Sequence, residues 1–152
     1  MGKGYSFEKE IERWLLKVAE QDESLSPLDR SFRVPCSGAM ACMKGDVLTN
    51  KVKWLARDIT FECKSRKDDS TDKQRKKEGL KSFRLEKEWL DKNREEAEKD
   101  GRLSVVCVNF KRTMKNRIHV VVPLDHFEIL LNMIKEDNKE PNSSGGEVNV
   151  NG

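Results

Sequence analysis

Asp58–Ile59–Thr60–Phe61–Glu62–Cys63–Lys64 is the stretch on which the fold turns. Side chains alternate between the two faces of a β-strand, and here the alternation separates two chemistries. Ile59, Phe61 and Cys63 share one face, which suits a core. Thr60, Glu62 and Lys64 share the other, which sets a carboxylate and an ammonium side by side.

Working upstream, Asp46–Val47–Leu48–Thr49 reads as a second strand and Asn50–Lys51 as a turn, after which the chain returns through Trp54 and Leu55. If the two strands pair as a hairpin, Asp46 and Glu62 converge on one edge of the sheet. Before them, Ser31–Phe32–Arg33–Val34–Pro35 is a short extended segment running into the small residues Cys36–Ser37–Gly38–Ala39–Met40–Ala41. A turn-rich stretch, Gln21 to Arg30, contains Pro27. Ser6 to about Glu20 is expected to be an amphipathic helix, with Phe7, Ile11, Trp14, Leu15 and Val18 on one face. Ser6 fits its N-cap. Glu8 falls in the first turn, within reach of the hairpin carboxylates.

Downstream, Ser65 to Lys77 has no apolar residue and crowds Arg66, Lys67, Lys73, Arg75, Lys76 and Lys77 together. Such a run is expected to be a loop or a helix entry. Glu78 to Lys99 reads as a helix with Leu80, Phe83, Leu90 and Ala97 in one stripe, Trp89 beside it and Gly101 at the left-handed C′ position. Leu103 to Phe110 and Arg117 to Val122 read as strands joined by a hairpin loop at Lys111–Asn116. Pro123–Leu124–Asp125 opens a last helix. Asp125 and Glu128 have capping-box spacing there, and Leu124 and Ile129 could staple it. The domain is expected to span residues 1–135, with a disordered tail over 136–152. The fold class that follows is α/β, a central mixed, mostly antiparallel sheet flanked by helices.

Composition narrows the class. Hydrophobic residues make up 36% of the 152 and charged residues 38%, against a usual charged share of about 25%. A thin core under a heavily charged surface is the result. The net charge of +3 decides little, because a local basic patch can hold a polyanion on a nearly neutral protein. No apolar run approaches the roughly 20 residues of a membrane span, so no membrane association is expected. Met1 to Lys9 is polar and unlike a leader, so the chain is expected to be cytoplasmic, with its cysteines reduced. Cys36, Cys42, Cys63 and Cys107 lack the paired spacing of a zinc site.

Asp46, Glu62 and Glu8 together would offer oxygen ligands to a hard cation such as Mg²⁺. Such an ion acidifies water and polarises a phosphoryl oxygen. Lys64, facing the same way as Glu62, could orient that water or balance charge. No histidine, serine or thiolate stands in an obvious nucleophilic position, so attack of water on a phosphodiester is the simplest chemistry these groups support.

Gly45–Asp46 followed by Phe61–Glu62–Cys63–Lys64 resembles the D…E-x-K signature of the PD-(D/E)XK nucleases, with Gly in place of the nominal Pro. Within that class the chain is similar to the archaeal-type Holliday junction resolvases. The likeness rests on Gly4–Tyr5–Ser6–Phe7–Glu8 at the helix start and on Arg33–Val34–Pro35–Cys36–Ser37–Gly38 in the loop, and it spans about Gly4 to Val122. The compact size suits a viral or phage version, acting in host-cell cytoplasm, as well as a cellular one. The resemblance implies a restriction-endonuclease-like core. It implies that Glu8, Asp46 and Glu62 bind or organise Mg²⁺ (with Mn²⁺ substituting), and that the Cys63 carbonyl is a further ligand. Lys64 would act on the water, and Ser37 would approach the scissile phosphate. Lys3, Arg33, Arg66 and Lys67 would contact DNA. The partners implied are branched DNA and a second copy of the chain, in a homodimer that cuts two strands of a four-way junction. The Lys51–Arg57 insert and the long basic loop after Lys64 are less typical of that group.

Each residue also has a plainer reading. E-x-K in a strand occurs by chance, Glu8 could simply be an acid near a helix N-terminus, and Ser37–Gly38 could be a turn. The basic run also holds Asp68, Asp69 and Asp72. Trp14, Trp54 and Trp89 suit a core or a dimer interface, His119 a structural place in a strand, and His126 an exposed helix start. The competing functions are a nuclease for flaps, ends or plain duplex, a catalytically inactive nucleic-acid-binding module, and a plain interaction protein.

Overall fold

Asp46 and Glu62 do lie on paired segments. In the computed structural model, which describes residues 3–35, 45–65, 82–110 and 116–139, β2 (Val47–Leu48) runs antiparallel to β3 (Ile59–Ser65), with Val47 opposite Phe61 and Leu48 opposite Thr60. β1 (Phe32–Arg33) adds antiparallel to the outer side of β2. β4 (Leu103–Asn109) lies parallel along the other side of β3, and β5 (Ile118–Val121) runs antiparallel to β4. The five strands are ordered β1-β2-β3-β4-β5. The protein is therefore α/β, with a mixed and mostly antiparallel sheet. Among the described residues the α-helices are α1 (Lys3–Val18), α2 (Lys87–Lys99) and α3 (Leu124–Lys139). The β3–β4 pairing needs a crossover because it is parallel, and α2 lies in that connection.

Burial explains the layering. All seven residues of β4 are buried, as a strand covered on both faces should be, and its sequence reads as a nearly continuous apolar run. On one face Phe7, Ile11 and Leu15 of α1 pack on Val47, Phe61, Val105 and Cys107. Each such fully buried side chain contributes about 1.5–3 kcal/mol. The opposite face, carrying Glu62 and Lys64, meets α2, whose inward residues are Asn93 and Ala97.

Several local expectations are corrected. The first helix already includes Lys3, so Ser6 lies inside it and Glu8 falls beyond its first turn. Gly4 costs the helix only about 1 kcal/mol, and Phe7 must be helical to align with Ile11. Leu16 and Ala19 complete the buried stripe, while Trp14 and Val18 sit on its flank, 49% and 45% exposed. α2 starts at Lys87 rather than Glu78; Ser82 to Glu86 are not helical, and Phe83 packs edge-on to Phe110 at 5.8 Å. The end of α2 is as expected. Gly101 takes φ 68°, with Gly101 N–H donating to the Glu98 carbonyl at 3.0 Å and Arg102 N–H to Ala97 at 2.8 Å, a Schellman closure.

In α3, Leu124 is already helical, so Asp125 lies in the first turn instead of capping it. Leu124 is 83% exposed, which rules out the staple, and Asp125 pairs with Arg94 of α2. The helix continues to Lys139, so residues 136–139 are not part of a disordered tail. No Pro or Gly interrupts the chain until Pro141. His126 is 2% exposed rather than on the surface. Its Nδ1 accepts the Ser104 N–H at 3.0 Å, which puts the ring hydrogen on Nε2, 3.0 Å from Glu98. His119 is the exposed histidine. Among the described residues no helix is long and apolar enough to cross a membrane.

Candidate functional site

Asp46 sits where the β2–β3 ladder ends. Its N–H donates to the Phe61 carbonyl at 2.9 Å, and its own carbonyl accepts Val34 N–H at 2.8 Å. Its Oδ2 accepts Cys63 N–H at 2.7 Å. The carboxylate thus continues the ladder for one more bond and is 7% exposed. The N–H and C=O of a strand residue leave by the same edge, so the Cys63 carbonyl also faces the Asp46 side.

Gly45 makes this approach possible. Its φ is 95°, and a Cβ there would stand 2.3 Å from the Thr60 methyl. Proline, with φ locked near about −65°, cannot adopt this backbone. The residue before Asp46 is therefore glycine for a local steric reason.

Glu8 and Glu62 flank Asp46 from different elements. Glu8 comes from α1, and its acidity is weakened until it titrates at about 7. Burial is the main cause, and repulsion from Asp46 adds to it, with Arg33 opposing both. Glu62 is also raised, by burial first and by Asp46 second, with Lys64 opposing. Among the described residues, two cations answer the three carboxylates. Arg33 Nη1 lies 3.5 Å from Glu8, and Lys64 Nζ lies 3.1 Å from Glu62. The expectation that Glu8, Asp46, Glu62 and Lys64 gather at one place is met. Ser37, Arg66 and Lys67 lie outside the described residues, as does the side chain of Lys3.

The donor set fits a hard divalent cation. It consists of carboxylates and a backbone carbonyl, and burial, with repulsion from Asp46 second, holds two of the carboxyls away from ionisation. Such a cation keeps several waters and takes one or two carboxylates. Among the described residues, Glu98, Asp125 and His126 alone bring three ligand atoms within 4.8 Å of one another. That trio is committed elsewhere, because Arg94 pairs with both acids and both His126 nitrogens are engaged. Glu8, Asp46 and Glu62 are spread more widely, with Glu62 drawn to Lys64.

Cys63 is a half-buried free thiol paired in register with Cys107. Its side chain faces α1, away from the Glu62 carboxylate. The Cys107 contact and burial push its thiol up, which disfavours the thiolate.

Glu12 and Asn93 escaped the sequence reading, and Trp89 was read only as a core or dimer-interface residue. Glu12 is buried in α1, accepts Arg33 N–H at 2.6 Å and pairs with Arg30 at 3.7 Å, so it seats β1 against α1. Trp89 on α2 lies under Lys64, with Nζ 5.1 Å from the ring centroid. Asn93, one turn further along, buries an amide nitrogen that has no partner. The spacing Trp89–Asn93–Ala97 was a legible signal, since residues four apart share a helix face. The buried role of Glu12 had no comparable signal.

No family model matches the chain, and no curated protein or solved structure matches it.

Proposed function

We propose that the protein is a metal-dependent endonuclease of the PD-(D/E)XK type, with a restriction-endonuclease-like core and Glu8, Asp46, Glu62 and Lys64 as its active site. The observation that carries this reading is the convergence of three carboxylates and a lysine at the end of the β2–β3 hairpin, two of the carboxyls being pushed up by burial and by Asp46. Glu8, Asp46 and Glu62, with the Cys63 carbonyl, would hold Mg²⁺ or Mn²⁺. Bound there, the ion supplies Lewis acidity toward a phosphodiester and acidifies water.

The chain's own groups do the rest. Asp46 is fixed by the Cys63 N–H on one side and lies against Glu8 on the other. Glu62 keeps Lys64 at the sheet surface, where its ammonium orients water and balances charge building on the phosphate. Arg33 counters Glu8 from β1.

The substrate proposed is DNA, with four-way junctions first and flaps, ends or plain duplex as the alternative. Pairing of two copies would put two sites on one junction. An apolar cavity of about 330 Å³ between α1, α3 and the 52–55 segment, bordered by the exposed Trp14, Trp54, Phe127, Leu131 and Ile134, supports self-association. The test of the chemistry compares the wild type with Asp46→Asn and Glu62→Gln. Both variants should lose Mg²⁺-dependent cleavage while still binding DNA, and full activity in either contradicts the assignment.

A further inference from the structure

We propose that Trp89 is a positioning residue for Lys64, its indole face holding the ammonium within the site independently of Glu62. This inference rests on the reading of Lys64 as the working cation of that site. α2 turns Trp89, Asn93 and Ala97 toward the sheet at four-residue steps, and β3 turns Glu62 and Lys64 toward α2. Lys64 Nζ is thereby gripped twice, 3.1 Å from Glu62 Oε1 and 5.1 Å from the Trp89 centroid. Its side chain is 29% exposed, so the ring acts on a partly desolvated charge, where cation–π attraction is stronger than at the surface.

The two grips differ in kind. The carboxylate takes one of the three N–H donors of the ammonium, and it is the group that a cation in the site would compete for. The ring attracts the charge through its quadrupole and needs no acceptor atom. With Glu62 engaged elsewhere, a lysine side chain has four rotatable bonds in which to wander, and ordering it costs up to about 2 kcal/mol of entropy. Trp89 limits that wandering while leaving N–H groups free for water or a phosphate oxygen. Trp89 touches neither substrate nor ligand in this account; it acts through Lys64.

The test uses the full-length protein and two readouts. In the metal-free protein, the Lys64 ε-methylene proton resonance, assigned by its loss in Lys64→Met, should lie upfield through the Trp89 ring current. It should return to its ordinary position in Trp89→Leu and stay upfield in Trp89→Phe. In Mg²⁺, Trp89→Leu should lower kcat on the order of tenfold and leave KM for DNA within about twofold, with Trp89→Phe recovering most of the rate. An unshifted Lys64 resonance in the wild type, or a Phe variant as slow as the Leu variant, overturns the proposal. If the wild type cuts no DNA, the nuclease reading fails by itself, and the ring-current shift still decides whether Trp89 holds Lys64.

Discussion

Replacing Glu8 with Gln should stabilise the metal-free protein at alkaline pH and have almost no effect at acid pH. The carboxyl moves from an ordinary 4.5 to about 7 on folding. Between those values the folded chain binds the proton that the unfolded chain has released, so stability falls as pH rises through this window. The penalty is absent below about 4.5 and complete above about 7, where it reaches about 3 kcal/mol at about 1.4 kcal/mol per tenfold. Gln carries no such penalty; the pull of Arg33, 3.5 Å away, is already contained in the value of about 7, and solvent screening at this partly exposed carboxyl cuts what is realised to about half. The net gain expected at pH 8.5 is therefore about 1–2 kcal/mol, or about 2–8 °C in Tm for a chain of this size. Thermal unfolding in EDTA, followed by circular dichroism from pH 5 to 8.5, measures it. The gap between variant and wild type should open as pH rises, and Mg²⁺ should raise the wild-type Tm more at pH 8.5 than at pH 5. A gap that is flat with pH, or a variant less stable than wild type at pH 8.5, refutes the electrostatic account of the site.

Three further outcomes can be checked. Glu12→Ala strands Arg30 and the Arg33 N–H in a buried place and should cost about 3 kcal/mol in urea unfolding; a loss under about 1 kcal/mol would mean that β1 is seated some other way. His126→Ala removes the clamp on Ser104 N–H and should cost about 2–4 kcal/mol, whereas a neutral result would place the ring outside the core. If two copies meet through the apolar groove, Ile134→Asp should shift the mass in solution from dimer to monomer without unfolding the chain. An unchanged dimer would move the interface elsewhere.

The hairpin was legible because its information is local. Two-residue alternation in β3 separates Phe61 from Glu62 and Lys64, and the pairing of Val47 with Phe61 brings Asp46 beside them. Gly101 was legible for the same reason, as one residue solving one backbone problem. What sequence could not supply depended on long-range packing. Glu12 looks like any surface acid of a charged helix until β1 is laid across it. His126 looks like an exposed helix start until Ser104, on a strand 22 residues away in sequence, presents an N–H to it. Trp14 matched the apolar period of α1 yet lies on its flank, because periodicity does not reveal where the sheet beneath ends. The start of α2 was misplaced because Phe83 meets Phe110, just past the end of β4, a contact that the helical pattern gives no hint of.

Cleavage of a labelled four-way junction, set beside linear duplex of the same sequence and run in Mg²⁺ and in EDTA, tests the central claim most directly. Paired, symmetric nicks are expected in the junction with Mg²⁺, none in EDTA, and none with Asp46→Asn. Cutting of both substrates would keep the metal-dependent nuclease and remove the junction preference. Intact DNA in every lane, with tight binding preserved, would contradict the nuclease reading and leave a binding module in its place.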